Sequence, residues 1–172
     1  FFFKQKTAYE IVDCDWSSDV CSSDLEEALE IYQRFPFHLV QLPLNVLDQR
    51  ALKNGSLSRL NALGVEIHVR SAFLQGALIG DPARLPPSMS GLRARVENFQ
   101  FACQQRGISP AMACLSFLSS VPEVSYAVVG ITSCKELEEL CEQSKMLMDP
   151  AWFEKFGEID PAIIDPRAWP KK

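Results

Sequence analysis

The feature that most constrains the fold is an alternation of short apolar runs, set between proline or glycine, with stretches of helical spacing. His38-Leu39-Val40-Gln41-Leu42 lies between Pro36 and Pro43, Val65-Glu66-Ile67-His68-Val69 follows Gly64, and Ser125-Tyr126-Ala127-Val128-Val129 ends at Gly130. Runs of this length between such breakers fit buried parallel strands. Ahead of the first, EEALEIYQRF places Ala28, Leu29, Tyr32 and Phe35 at helical spacing until Pro36 stops it. A helix over about 56–63 opens at Ser56 and closes at Gly64, and SGLRARVENFQFACQQRG reads as another, ended by Gly107. The next, about 109–119, begins at Ser109 with Pro110 at its first position, where a missing N–H does no harm. The last spans about 134–144, and the Pro-, Trp- and Phe-rich remainder reads as a tail packed on a surface. Helix, strand, helix, strand predicts an α/β fold. Three strands do not close a barrel of eight strands and ~250 residues. Either the sheet is small and open, or the chain is cut.

Composition excludes several function classes. With 172 residues, 47% of them hydrophobic, the chain can bury one ordinary core. A net charge of -5 offers no basic field to nucleic acid or anionic lipid. No apolar run approaches the ~20 residues of a membrane span, and Phe1-Phe2-Phe3 lacks a signal peptide's basic n-region. The six cysteines, at 14, 21, 103, 114, 134 and 141, show no metal-ligand spacing and fit reduced thiols in the cytoplasm. Cys103 and Cys114 fall among apolar helical neighbours and are expected to be buried thiols.

The opening string FFFKQKTAYEIVDCDWSSDVCSSDL has no initiator methionine and a texture unlike the rest. It resembles a translated sequencing-adapter read. Residues 1–25 are therefore expected to be a non-native leader without a coherent apolar face, and Tyr9, Asp13 and Cys14 are set aside as site candidates. The domain reading is leader 1–25, partial barrel 26–148 and C-terminal tail 149–172.

Three blocks carry a family resemblance: Gln41-Leu42-Pro43-Leu44-Asn45-Val46-Leu47, Arg70-Ser71-Ala72-Phe73-Leu74-Gln75-Gly76, and Val129-Gly130-Ile131-Thr132-Ser133-Cys134-Lys135-Glu136-Leu137. In order and spacing they resemble the C-terminal part of aldo-keto reductases over about residues 28–145. The resemblance implies the C-terminal portion of a (β/α)8 barrel, incomplete here, and an NADP or NAD cofactor. It places Gln41 against the nicotinamide carboxamide and Arg70 at the nicotinamide, Ser71, Phe73, Gln75 and Gly76 along the cofactor pyrophosphate, and Gly130, Thr132, Ser133 and Glu136 at the adenosine-phosphate end. Independently of the family, barrel enzymes use the loops after strands seven and eight as phosphate sites. Ser133-Cys134-Lys135-Glu136 is equally a capping box, which needs no ligand.

Departures from the family pattern matter as well. Arg70 stands where relatives often have an aromatic that stacks on the nicotinamide. Thr132 occupies a position where many carry an arginine for the 2′-phosphate, and Glu136 replaces a neutral glutamine. A carboxylate there repels a phosphate by roughly 1 kcal/mol or more, so NAD or dual use becomes plausible. The family's Asp, Tyr, Lys and His catalytic set belongs to the first four strands and has no counterpart in this sequence. No catalytic residue is therefore assigned. His38 and His68 read as packing or surface histidines and Tyr126 as a core residue. The implied function is that of a fragment of an NAD(P)-dependent oxidoreductase acting on small carbonyl compounds, inactive alone. The alternative is a non-enzymatic α/β interaction module whose loops only cap helices.

Overall fold

The computed structural model describes residues 19–21, 25–144, 146–158 and 160–169. In chain order the elements are β1 (Asp19–Cys21), α1 (Leu25–Arg34), β2 (Leu39–Pro43), α2 (Arg50–Lys53), α3 (Ser56–Ala62), β3 (Glu66–Arg70), α4 (Ser90–Gln105), α5 (Pro110–Ser119), β4 (Tyr126–Ala127), α6 (Cys134–Gln143) and α7 (Pro161–Ile164). Short 3-10 turns punctuate the loop before α4 and the C-terminal segment.

The four strands form one parallel sheet in the order β1-β2-β3-β4. Gln41 pairs with His68, and His68 in turn pairs with Tyr126. Backbone bonds from Ser125 N to Ile67 O (2.9 Å) and from Val128 N to Val69 O (2.7 Å) extend the short fourth ladder at both ends. Alternation along the strands separates two faces. Val40, Leu42, Ile67 and Val69 are fully buried beneath helices, whereas Leu39, Gln41 and Pro43 on β2 and His68 and Arg70 on β3 are only half-buried, and Glu66 is exposed. Over β2 and β3 the sheet is thus covered on one side and open on the other, whereas both residues of β4 are exposed.

Helix termini follow the sequence chemistry. Ser109 Oγ accepts from Met112 N (3.0 Å) with Pro110 next in line, so the start of α5 has its donor satisfied. Gly64 and Gly107 take left-handed φ of 77° and 66° just past α3 and α4, where a side chain would be strained. Ser56 does not cap α3. Gly55 holds that position at φ 72°, and Ser56 N instead donates to Asn54 Oδ1 (3.0 Å).

Three expectations are corrected. The leader was expected to contribute no barrel element, yet Asp19–Cys21 pair in parallel with Leu39–Gln41. A ladder engages backbone groups and needs no apolar periodicity, and an unpaired β2 edge would leave its N–H and C=O groups open. That pairing speaks against treating 19–21 as foreign to the fold. Tyr9, Asp13 and Cys14 lie outside the described residues. Secondly, Phe35 is 72% exposed because α1 ends one residue before it; Phe37 enters the core instead, edge-on to Tyr32 at 5.3 Å. Thirdly, the C-terminal segment is not a surface dressing. Trp152, Phe153, Phe156 and Ile164 are buried in the same core as the sheet, with Phe99 against Phe156 and Phe117 against Phe153, both at 5.3 Å.

Cys103 and Cys114 are buried as expected, and Cys134 and Cys141 are exposed. Burial pushes the Cys103 thiol up to about 12, partly offset by Lys155, and raises Cys114 well above its ordinary value. Both stay protonated at neutral pH. In the unfolded chain they ionise near the ordinary value of 9.0, so this contribution to stability is complete below that pH and is lost as pH rises toward about 12. Peptide mass spectrometry after alkylation of the native protein at pH 8 should find Cys134 and Cys141 labelled, with Cys103 and Cys114 reacting only after denaturation. Equal labelling of all four would contradict the packing.

Candidate functional site

Because every strand runs the same way, the loops after β2, β3 and β4 leave from one edge of the sheet. Parallel barrels and open α/β sheets bind ligands at this edge. The predicted blocks 70–76 and 130–133 therefore lie on the same side of adjacent strands. Gln41 lies on the open face of β2, two residues before the strand ends.

Asn45, which is 1% exposed, organises the first two loops. Its Oδ1 accepts from Leu47 N and Asp48 N, each at 3.0 Å, closing a turn after β2. Its Nδ2 donates to Ser71 O (3.2 Å) across in the next loop, beside a backbone bond from Leu44 N to Arg70 O (3.2 Å). The buried Gln49 ties this turn to the C-terminal segment by donating to Val46 O (2.7 Å) and Phe153 O (2.9 Å). Asp48 holds Arg50 bidentately at 2.8 and 2.9 Å, and this bond raises the guanidinium pKa further. Sequence reading assigned none of these four residues to the site. The signal available was the Asn in LNVLD, a polar turn former inside an apolar run.

The loop after β3 carries the most unusual backbone in the described structure. Ser71, Leu74, Gln75 and Gly76 have φ of 61°, 47°, 56° and 82°. Left-handed geometry costs a non-glycine residue about 1–2 kcal/mol, so three such residues persist only if the surroundings hold them. Ala72, Leu74 and Leu78 are buried anchors, and bonds from Leu74 N to Ser71 O (2.9 Å) and from Gly80 N to Gly76 O (2.8 Å) close the turn. Phe73 packs against the core, whereas Gln75 and Gly76 form an exposed tip. Among the described residues, no partner is found for the N–H groups of Gln75 and Gly76. Successive N–H groups in left-handed backbone at an exposed tip suit an anion. Arg70 ends β3 half-buried, with Nη1 at 3.5 Å from Ser71 Oγ.

In the third loop the capping box forms. Ser133 Oγ accepts from Glu136 N (3.2 Å), while Glu136 Oε2 accepts from Thr132 N (2.7 Å) and Thr132 Oγ1 (2.9 Å). The carboxylate's close bonds go to Thr132, one residue before Ser133, while the Ser133 N–H also acts on it. These bonds hold the Glu136 pKa below its ordinary 4.5, so the cap is complete above that pH and is lost as pH falls through the lowered value. Gly130 is exposed, and a Cβ there would meet nothing within 4 Å. The space before it is open.

The open face carries a polar row. His68 Nε2 lies 2.7 Å from Glu66 Oε1, and its ring meets Tyr126 edge-on at 5.0 Å. Tyr126 is 62% exposed, not a core residue, because β4 turns it to the uncovered side of the sheet. His38 is exposed just before β2, and its carbonyl accepts from Glu66 N (2.8 Å). Among the described residues no cluster suited to a metal ion occurs, and no helix is long and apolar enough to cross a membrane.

A parallel sheet with helices on one face and three loops leaving one edge is an α/β arrangement of the kind that β/α-barrel proteins use. The model of the aldo/keto reductase family matches residues 18–161, and the chain belongs to that family. Solved structures agree in fold: aldo-keto reductase AKR11C1 from Bacillus halodurans in its holo form superposes with a TM-score of 0.63 at 14% identity, covering 87% of this chain and 52% of that one. Its apo form gives the same score, covering 53% of that chain. The thermostable aldo-keto reductase Tm1743, in complex with the inhibitor epalrestat, gives 0.57 at 14% identity, with 81% and 47% covered. The chain spans about half the length of these structures. No curated protein matches it.

Proposed function

We propose that the chain forms the cofactor floor of an NAD(P)-dependent carbonyl oxidoreductase of the cytoplasm, with the acid and base residues supplied by barrel strands outside this sequence. The observation that carries the reading is the convergence of Gln41, the left-handed loop 71–76 and the loop 130–133 at one edge of a parallel sheet. In this reading Gln41 would meet the nicotinamide amide, the Gln75 and Gly76 N–H groups would donate to pyrophosphate oxygens, and Gly130, Thr132 and Ser133 would border the adenosine phosphate. Arg70 would lay its guanidinium, and Phe73 its ring edge, beside the cofactor. These residues would bind and orient the dinucleotide, which when bound would supply hydride for a small carbonyl substrate.

Glu136 sets the cofactor preference in this account, because its carboxylate is held anionic beside the 2′-position. Glu136→Gln is expected to improve NADPH relative to NADH affinity about fivefold, because the carboxylate's repulsion of the phosphate is removed. Fluorescence titration of both dinucleotides measures it, and an unchanged ratio would remove Glu136 from the phosphate site.

The capping bonds at Ser133 and Glu136 need no ligand and are the observation that favours the rival, a non-enzymatic interaction module. The two readings separate on dinucleotide binding. The origin of residues 1–25 is tested by the genomic DNA upstream of the Glu26 codon: a non-native leader requires a different barrel strand encoded there.

A further inference from the structure

The geometry points to Asn45 as a positioning residue that pins the left-handed loop after β3 to the turn after β2, and so sets the shape of the dinucleotide floor. This rests on the cofactor reading above. Asn45 is buried, and its two polar atoms do different work. Oδ1 accepts two N–H groups of its own turn, from Leu47 and Asp48, whereas Nδ2 makes the only side-chain bond among the described residues that joins this turn to the Ser71 carbonyl. That carbonyl also accepts from Leu74 N (2.9 Å), at the start of the strained run. Ser71 itself sits at φ 61°, so the orientation of its carbonyl is not one the chain adopts unaided. A buried donor aimed at that oxygen selects it. The asparagine amide carries its acceptor and its donor on two separate atoms, so one can serve the near turn while the other reaches the far loop.

The division of labour predicts two distinguishable variants. Asn45→Asp keeps an acceptor for Leu47 and Asp48 but places an oxygen against the Ser71 carbonyl, while Asn45→Ala removes both functions. Amide hydrogen exchange on the 172-residue chain, with and without NADPH, reads them apart. In Asn45→Asp, the Leu74, Ala77 and Gly80 amides should exchange on the order of tenfold faster, the consequence of losing about one buried bond. Leu47 and Asp48 should remain protected there and lose protection in Asn45→Ala. Val40 and Leu42 amides, unchanged in both, show that the sheet is intact. NADPH should slow exchange in the 71–80 loop of the wild type and fail to do so in Asn45→Asp. Equal loop protection in Asn45→Asp and wild type, or an undiminished NADPH effect in that variant, would overturn the inference. A wild-type loop indifferent to NADPH, with the variant loop loosened, would instead overturn the cofactor reading.

Discussion

Joining residues 19–169 to an N-terminal half-barrel that carries the family's acid tyrosine and its lysine partner is expected to raise carbonyl-dependent oxidation of NADH or NADPH from background to measurable turnover. The 172-residue chain alone is expected to show none. General acid catalysis contributes about 10²–10⁴ in rate. An added half-barrel would also hold the carbonyl at hydride-transfer distance, so the combined gain is expected to exceed the acid's share. Absorbance at 340 nm follows the reaction. Turnover by the chain alone, blocked by no substitution at Gln41 or Gly76, would show that its chemistry lies elsewhere.

The second large effect concerns folding. Phe153 is 1% exposed, edge-on to Phe117 at 5.3 Å and to Trp152 at 5.0 Å. Phe153→Ala should lower stability by about 3–5 kcal/mol, the sum of lost burial and the cavity left behind. Urea unfolding followed by circular dichroism measures it. A loss under about 1 kcal/mol, the range of surface sites, would return the C-terminal segment to a surface role. The Phe153 carbonyl also receives the Gln49 bond behind the turn that holds Asn45, so loosening the segment should reach the site from behind.

The contrast between these regions explains what the sequence could disclose. Strands β2 and β3 and helices α3 to α6 were legible because Pro36, Pro43, Gly64, Ser109-Pro110 and Ser133 act on the backbone within one or two residues. Burial depends instead on partners far along the chain. Phe35 and Tyr126 have strongly apolar or aromatic side chains, yet one falls past the end of α1 and the other on the uncovered face of β4. The C-terminal aromatics gave no periodicity because 3-10 turns, not a helix, deliver them to the core. Strand β1 had no apolar signature because backbone pairing requires none. At the site, Gln41 and the glycines stood out through the family pattern. Asn45 was present in the same block and passed over, since its role lies in a bond to a carbonyl 26 residues away.

The central claim is that the loops at the C-terminal edge bind a nicotinamide dinucleotide. The most direct measurement is a fluorescence titration of NADH and NADPH against a complete barrel containing residues 19–169, as wild type and as Gly76→Val. A Cβ at Gly76 meets no atom within 4 Å, so the substitution acts through its φ of 82° and the N–H it presents. Saturable binding, weakened about tenfold by a strain of roughly 1–2 kcal/mol in Gly76→Val, is the predicted result. Absence of saturable binding, or equal affinity in the two proteins, would contradict it.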